Sequence, residues 1–364
     1  MTLRFRWLRF VTILLALGLL AAACGEDGAA PEDDAAPEDD AAAEDDEPPA
    51  EDEEGDDEAA AGEVPEFVSI ATGGTGGAYY PIGGAMGSLL AREIDGLSNA
   101  TAETTGGSVE NIRLIHQGQA EMALAQGDAV HQGCAGEVDF EEPQNIATIA
   151  MVYVNLLQVV SPADRGIETI DDLAGQRVSV GDAGSATEVF IRQVTEFNGM
   201  SYDDFGEAQR LPFADQVTAI RNDQLDVGTW VVAPGVSSIQ DLASSEQISI
   251  LAFSDEELEA LGEEFPYYIP AEVEGGTYQG VDETVTLPGT WNSIVVSQDL
   301  DEEFVYDVTR VLHENVDALA SGHPSGGDLA PENIEHALCP LHPGAMRYFE
   351  EEGIEVPEDM QPTS

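Results

Sequence analysis

The sequence predicts an α/β protein with two lobes. Short apolar runs rich in β-branched residues alternate with amphipathic stretches, which indicates strands alternating with helices around a parallel or mixed sheet. A corner made of a strand, a glycine-rich loop and a helix start occurs at 67–90 and again at 177–198. Two such corners, about a hundred residues apart, imply two lobes with a ligand cleft between them.

The first 66 residues read as targeting and spacer sequence. Three arginines, an apolar run at 10–20 and three alanines precede Cys24, which predicts an export signal over residues 1–23. Small residues before a cysteine resemble a bacterial lipoprotein cleavage site, although Ala21 stands where leucine is usual. We therefore expect lipid attachment at Cys24, with a simply secreted protein as the alternative. Residues 24–66 are almost wholly Ala, Pro, Gly, Asp and Glu, which predicts a disordered acidic tether.

The chain is strongly negative. It carries 72 acidic residues against 12 basic ones, a formal net charge of -60, and every basic residue is arginine. This charge excludes nucleic acid as a partner, because the phosphate backbone would be repelled. It also suggests a saline habitat in which salt screens the self-repulsion. Acidic drift in a genome that prefers arginine is the alternative.

The first corner opens lobe one. Phe67–Ala71 reads as a buried strand, four glycines around Thr75 follow it, and a helix begins near Tyr79. The free N–H groups of such a helix start favour an anion, although an ordinary tight turn is the alternative. The chain has no lysine for a phosphate loop, and its glycines do not match G-x-G-x-x-G. A small anion is therefore favoured over a nucleotide.

Two further strand ends of lobe one carry glycine and short polar residues. Ser108 begins a helix after two glycines, and a strand at 121–125 ends in Gln126-Gly127-Asp128. Ligands of open α/β sheets lie beyond the carboxyl ends of the strands, so these ends predict a binding site. Asp128 reads either as the partner of a ligand ammonium group or as a solvated turn residue.

The second corner follows a strand at 177–180 and begins a helix at 188–198. We expect the N–H groups and hydroxyls of 184–187 to bind a ligand carboxylate across the cleft. Ser185→Ala and Thr187→Ala are expected to weaken binding by roughly ten- to a hundredfold, and Gly184→Val by more. If wild-type affinity survives the double change, this corner is only a helix cap. Trp230, on a strand at 227–232, reads either as a cleft wall or as a half-buried strand aromatic.

The chain has two cysteines besides Cys24. Cys134 and Cys339 could form one disulfide in an exported protein or remain two buried thiols. The trio of His336, Cys339 and His342 is disfavoured as a metal site, because it lacks a second cysteine and Pro340 interrupts any helical face. No cofactor and no metal are expected.

Five motifs together resemble the TAXI-type solute-binding proteins of TRAP transporters. They are GGTGGAYY at 73–80, TGGSVEN at 105–111, AQGD at 125–128, VSVGDAGSATE at 178–188 and LHPGAM at 341–346. The resemblance implies a periplasmic-binding-protein type II fold in which the chain crosses twice between the lobes. Lobe one would comprise 67–159 and 290–364, and lobe two 160–289. The ligand-binding residues that it and the corners imply are Gly74, Thr75, Gly76, Tyr79, Ser108, Gln126, Asp128, Gly184, Ser185, Ala186, Thr187 and, more weakly, Trp230.

The function that the resemblance implies is extracytoplasmic capture of a small carboxylate, of the glutamate, glutamine or dicarboxylate kind. The partners would be the membrane subunits of a TRAP permease, with the protein held at the cell membrane through Cys24. A surface sensory or adhesion module that binds a solute without transport is the alternative. An enzyme is not expected, because the sequence has no G-x-S-x-G, H-E-x-x-H or EF-hand motif and no convincing Cys–His pair. The sequence does not identify the carboxylate.

Overall fold

The computed structural model describes residues 64–362, which belong to one compact unit of the chain. The predicted signal peptide, the lipidation site Cys24 and all but the end of the predicted tether lie outside the described residues. Within the described part, no helix is both long enough and apolar enough to cross a membrane.

Strands and helices alternate through most of the described chain, as the hydrophobic pattern predicts. The strands are β1 Phe67–Ala71, β2 Asn99–Glu103, β3 Met122–Gln126, β4 Ile146–Pro162, β5 Arg177–Ser179, β6 Glu207–Gln209, β7 Gly228–Val232, β8 Ile248–Ile250, β9 Ile269–Val273 and β10 Val285–Ser297. The α-helices are α1 Tyr79–Glu93, α2 Ser108–His116, α3 Gly127–Ala135, α4 Ala186–Phe197, α5 Phe213–Arg221, α6 Ser237–Ser245, α7 Asp255–Glu264, α8 Glu302–Glu314, α9 Val316–Gly322 and α10 Pro343–Glu352. Short 3-10 helices lie at Ala163–Arg165, Ile170–Leu173, Tyr202–Asp204, Pro324–Asp328, Pro331–His336 and Glu358–Met360.

The main sheet is mixed. Its central path runs β2-β1-β3-β10-β4-β7, with β8 paired to β4 and β9 paired to β10. The β1 strand pairs in parallel with β2 and β3, whereas β10 is antiparallel to both β3 and β4. The carboxyl ends of β1 and β3 therefore lie at one edge of the sheet, where α1, α2 and α3 begin or approach.

Two long strands carry the chain between the lobes. The β4 strand has 17 residues and β10 has 13. They pair with each other from Ile146 to Leu156, after which β4 continues against β7 and β8. The β10 strand arrives from β9 and continues to β3. This arrangement is the two-lobed fold with two crossings, and the fold class predicted from the sequence is confirmed.

Hydrophobic side chains form separate clusters on the two sides of these crossings. Two clusters come mainly from residues 64–153 and 291–360, and the other two come from residues 154–287. We call these regions lobe one and lobe two, and we count Asn155 of β4 with lobe one, because its side chain is hydrogen-bonded to Gln126 and Asn292 there. The lobe limits proposed from the sequence, at 159 and 290, fall inside the crossing strands β4 and β10.

Several element boundaries predicted from the sequence were wrong. The apolar runs at 146–153 and 156–160 predict two separate strands, but β4 is continuous, and the buried amide of Asn155 between the runs finds hydrogen-bond partners. The sequence pattern predicts α-helices over 302–321 and 331–337. The first is divided at Asn315, and residues 331–336 form a 3-10 helix. Helices α3, α6 and α7 and strands β6 and β9 were not predicted, since short polar sequence conceals their periodicity.

The two cysteines of lobe one lie side by side. Cys134, at the end of α3, and Cys339, beyond β10, are joined by a disulfide with 5.9 Å between their Cα atoms. They are 205 residues apart in sequence, so the bond joins the two distant segments of lobe one.

Candidate ligand-binding site

A cavity lies between the lobes, beyond the carboxyl ends of β1 and β3. The space between its protein atoms is about 430 Å³, part of which is open to solvent. Lobe one contributes the loop before α1, the start of α2, the end of β3 and the middle of β4. Lobe two contributes the start of α4, the start of α5 and the end of β7. The lining residues are Gly73, Gly74, Gly77, Ala78, Tyr79, Gly106, Gly107, Ser108, Gln126, Tyr153, Asn155, Ser185, Ala186, Thr187, Phe213, Val231 and Val232.

Three helix starts meet at this cavity. The α1 and α2 helices begin after Ala78 and Gly107, neither of which caps its helix through a side chain. The α4 helix begins after Ser185, whose hydroxyl accepts a hydrogen bond from the Glu188 N–H. The first N–H groups of a helix have no partner within the helix and carry partial positive charge. The cavity is therefore suited to an anion.

None of the residues that line the cavity has a charged side chain. The described part of the chain has arginines at other places, but the cavity holds only hydroxyl, amide, aromatic and aliphatic groups. A bound anion would be stabilised by backbone N–H groups and neutral donors, as at many phosphate and carboxylate sites.

A network of buried side chains forms the wall of the cavity in lobe one. The Tyr79 hydroxyl donates to Asn292 Oδ1. Asn155 Nδ2 donates both to Asn292 Oδ1, at 2.9 Å, and to Gln126 Oε1, at 3.0 Å. Asn292 Nδ2 in turn donates to the Tyr153 carbonyl at 2.9 Å. The network joins α1, β3, β4 and β10, so it fixes the cavity wall to the core of the sheet.

The network leaves two buried polar atoms without partners among the described residues. They are Gln126 Nε2 and Asn155 Oδ1. Both side chains line the cavity, and each residue is only 3% exposed. A buried polar atom without a hydrogen bond is costly, and each of these two atoms has less than 1 Å² of accessible surface, so both lie behind the cavity surface rather than on it.

The lobes touch each other around the cavity. Ser238 Oγ of α6 donates to the Gly76 carbonyl at 3.1 Å, and the Glu110 N–H donates to the Gly184 carbonyl at 3.1 Å. The Gly106 backbone lies so close to the Ala183 carbonyl that no side chain fits there. The structure is therefore a closed form of the two lobes.

Asp128 takes part in another contact between the lobes. It begins α3 in lobe one, is fully buried, and its Oδ1 accepts from the Ala129 N–H at 2.8 Å. Its Oδ2 lies 3.2 Å from the hydroxyl of Tyr268 in lobe two, and the same hydroxyl lies within hydrogen-bond distance of Gln193 Oε1 of α4. Burial raises the pKa of Asp128 from 3.8 to about 7.

The structure brings seven of the twelve proposed ligand-binding residues to the cavity. They are Gly74, Tyr79, Ser108, Gln126, Ser185, Ala186 and Thr187. Among these, Ser185 already uses its hydroxyl, which donates to the Asp182 carbonyl at 2.7 Å while capping α4. Thr187 has no side-chain hydrogen bond within the described chain, so its hydroxyl is available to a ligand.

The other five proposed residues do not line the cavity, so their role in binding stays a prediction. Thr75 is exposed beside it, and the Gly76 carbonyl is bound by Ser238 of lobe two.

Gly184 faces Glu110 and has a φ of +78°, so Gly184→Val would strain the backbone whether or not it blocks a ligand. Asp128 is a buried contact between the lobes rather than a solvated turn residue. Trp230 is fully buried in the core of lobe two, where its indole packs against Gly228.

Sequence reasoning missed the residues that the crossing strands and lobe two supply. Tyr153, Asn155 and Val231 line the cavity, and Asn292 lies behind it. The available signal was a polar amide within an apolar run, at 155 in β4 and 292 in β10, because a buried amide needs specific partners. Phe213, at the start of α5, carried no comparable signal.

Residues 64–362 contain no group of three or more His, Cys, Asp or Glu side chains that could hold a metal ion. Cys339 belongs to the disulfide, His342 caps α10 through its ring, and His336 stacks on Trp291. These three residues therefore have separate structural roles.

Several solved structures have a similar chain trace. PhnD1 from Prochlorococcus marinus (MIT 9301), in complex with methylphosphonate, has 10% identity over 73% of this chain and 93% of that chain, with a TM-score of 0.49. A putative L-cystine ABC transporter from Listeria monocytogenes has 12% identity over 72% and 96%, with a TM-score of 0.46. The alkanesulfonate-binding protein SsuA from Xanthomonas axonopodis pv. citri, bound to MOPS, has 12% identity over 80% and 81%, with a TM-score of 0.42. At these values the similarities carry no argument about what this chain binds.

The family comparison is more informative. The model of the NMT1-like family matches residues 70–353. The match begins in β1 and ends after α10, so it takes in both lobes and every element of the cavity wall. The protein belongs to the NMT1-like family.

Proposed function

We propose that this protein is an extracytoplasmic solute-binding receptor that captures a small carboxylate between its lobes. The observation that carries the proposal is a cavity without charged side chains at which three helices begin. Helix starts bind an anion through N–H groups and the helix dipole. Because no arginine lines the cavity, the N–H groups of the helix starts would have to bind the anion, and a small anion enclosed by both lobes can reach them.

The contacts between the lobes support binding by closure. Ser238 with Gly76, and Glu110 with Gly184, form only when the lobes approach each other. A ligand that touches both walls would favour this closed form over an open one, because it binds the closed form more strongly. No catalytic role is proposed for the cavity.

We also propose that the protein delivers its ligand to a TRAP-type permease. This part rests on the resemblance to TAXI-type proteins at 73–80, 105–111, 125–128, 178–188 and 341–346. The signal and Cys24 support attachment to the outer face of the cell membrane, with 25–66 as a spacer. The net charge of -60 supports a saline habitat, in which unfolding free energy should rise with added salt.

A thermal-shift screen of the protein without its first 23 residues tests the ligand class. The screen compares mono- and dicarboxylates with methylphosphonate and an alkanesulfonate, all at high salt. A ligand that binds only the folded state raises the melting temperature by mass action, so a binding carboxylate should do so in proportion to its concentration. The proposal fails if no carboxylate raises the melting temperature.

Loss of uptake tests the transport role. Deletion of the gene should abolish uptake of the carboxylate found in the screen, and full-length protein should restore it. A variant with Cys24→Ala should lose lipid labelling. If uptake persists in the deletion strain while the purified protein still binds the carboxylate, the protein is a sensor or adhesion module rather than a transport receptor.

A further inference from the structure

The cavity has a polar part where the starts of α2 and α4 meet. The Glu110 N–H donates to the Gly184 carbonyl at 3.1 Å, so the two helix starts are in contact. A side-chain carbon built on Gly107 would lie 3.4 Å from the Cα of Ser185. Thr187, in the first turn of α4, brings to this part a hydroxyl without a hydrogen bond to residues 64–362. The N–H groups and this hydroxyl together can bind one carboxylate.

The remaining lining from lobe two is hydrocarbon. It consists of Phe213 at the start of α5 and of Val231 and Val232 at the end of β7. Val232 belongs to the hydrophobic cluster against which Phe213 packs. None of these three side chains can donate or accept a hydrogen bond, so they cannot satisfy a polar group of a ligand.

The Phe213 ring lies across the cleft from lobe one. A side-chain carbon built on Gly77, in the loop before α1, would lie 3.5 Å from this ring. Phe213 is partly exposed, so its ring is within reach of a molecule in the cavity. Because Phe213 and Gly77 belong to different lobes, closure of the lobes places the ring over the cavity.

We propose that the ligand is an aliphatic monocarboxylate, whose carboxylate lies at the starts of α2 and α4 and whose hydrocarbon chain lies against Phe213, Val231 and Val232. This inference rests on the proposed function and narrows its ligand class. A hydrocarbon chain leaves water when it enters this part of the cavity. From acetate to pentanoate, affinity should therefore rise by roughly fourfold for each methylene until the cavity is full.

A second charge on the ligand would be unfavourable beside these side chains. A second carboxylate would leave water without a cationic partner, because no arginine lines the cavity. An ammonium group would find no carboxylate among the lining residues. The carboxylate of Asp128 is directed at the Ala129 N–H and Tyr268 instead. Dicarboxylates and amino acids should therefore bind more weakly than a monocarboxylate of the same length.

Matched acids that differ only in the group at the far end test this inference by calorimetric titration. The shorter set is butanoate, succinate and 3-aminopropanoate, and the longer set is pentanoate, glutarate and 4-aminobutanoate. The titrations are run at about pH 7.5, where the carboxyl groups are ionised, and at high salt, which screens the repulsion between a dianion and the negative chain. In each set the monocarboxylate should bind at least roughly tenfold more tightly than the other two, because an unpaired charge is costly to bury.

A substitution at Phe213 links the preference to its residue. In Phe213→Ala the ratio of affinities for pentanoate and glutarate should fall by roughly tenfold, because the apolar wall is opened to water. The matched control is Phe197→Ala, which makes the same change in lobe two at a residue that does not line the cavity, and which should leave the ratio unchanged. The ratio is measured within one variant, so a general loss of affinity does not affect it.

The results separate this inference from the proposed function. If no carboxylate binds, the proposed function fails and this inference with it. If carboxylates bind but a dicarboxylate or an amino acid binds at least as tightly as the matched monocarboxylate, only this inference is overturned. Equal affinities from acetate to pentanoate would also overturn it. The wild-type comparison decides the matter even if Phe213→Ala does not fold.

Discussion

The two walls of the cavity are built in different ways. The wall in lobe one is a network in which Tyr79, Gln126, Asn155 and Asn292 come from four elements distant in sequence. The polar part of the wall in lobe two is the start of α4, where the Ser185 hydroxyl accepts from the Glu188 N–H and donates to the Asp182 carbonyl. One wall depends on the assembled sheet, whereas the other is local.

Because the two walls are built differently, they are suited to recognise different parts of a ligand. A helix start offers N–H groups to any anion of suitable size, because its field depends on backbone alone. The network in lobe one instead holds several polar side chains at fixed places through their partners. We infer that the start of α4 binds the charge and that lobe one fixes the shape of the space left for the rest of the ligand.

The largest expected effect on stability comes from the disulfide between Cys134 and Cys339, which joins the two segments of lobe one. Reducing the disulfide, or changing Cys134→Ser and Cys339→Ser, should lower the free energy of unfolding by about 5 kcal/mol, because the bond closes a loop with a sequence separation of 205. Chemical denaturation with and without reductant measures this. Equal stabilities under the two conditions would show that the bond does not form in the exported protein.

The buried carboxyl of Asp128 should make stability depend on pH. The pKa of this carboxyl is raised by burial from 3.8 to about 7. The contribution of Asp128 to stability is therefore greatest below pH 4 and is lost as the pH rises toward 7, by up to about 4 kcal/mol. The free energy of unfolding of wild type minus that of Asp128→Asn should fall over this range and then level off. Taking the difference between the two unfolding free energies at each pH cancels the effect of repulsion among the other carboxylates. A difference that stays constant from pH 4 to pH 7 would contradict the claim that burial raises the pKa of Asp128.

Asn292→Leu should disrupt the whole wall in lobe one. The change leaves the Tyr79 hydroxyl, one N–H of Asn155 and the Tyr153 carbonyl without their partner. Each unpaired buried group costs about 1–3 kcal/mol, so the free energy of unfolding should fall by about 3 kcal/mol or more. A fall below about 1 kcal/mol in urea denaturation would mean that the wall is not a connected network.

Ser185→Ala should have the smallest effect, since its role is local. Loss of this helix cap should lower the free energy of unfolding by about 1 kcal/mol. Ser254→Ala is the matched control, because Ser254 caps α7 with the same 3.3 Å hydrogen bond, formed with Glu257. Both variants should lose similar stability and keep most of their ligand affinity. A large loss of affinity in Ser185→Ala alone would restore the direct ligand contact that was predicted from the sequence.

The sequence revealed the local features of the site. Glycine loops and short polar residues at strand ends singled out Gly74, Ser108, Gln126 and Thr187, which line the cavity, because a helix start is defined by neighbours in sequence. The alternation of strands and helices predicted the fold class for the same reason.

Features that depend on long-range pairing could not be predicted in this way. Asn155 and Asn292 are 137 positions apart, and their contact depends on the register of β4 against β10 and on a bulge. Asp128 resembled a turn residue because its partner Tyr268 is 140 positions away in the other lobe. Polar residues in apolar strands indicate that partners exist, but they do not identify them.

The central claim is that a carboxylate binds in the cavity against the start of α4. Calorimetric titration of the best carboxylate into wild type and Thr187→Val tests it most directly, because the substitution keeps the size of the side chain and removes only a hydroxyl. The Thr187 residue lines the cavity and is 3% exposed. A hydrogen bond to a charged group contributes about 1.5–3 kcal/mol, so affinity should fall by roughly ten- to a hundredfold. Unchanged affinity in Thr187→Val would contradict the claim and place the ligand elsewhere.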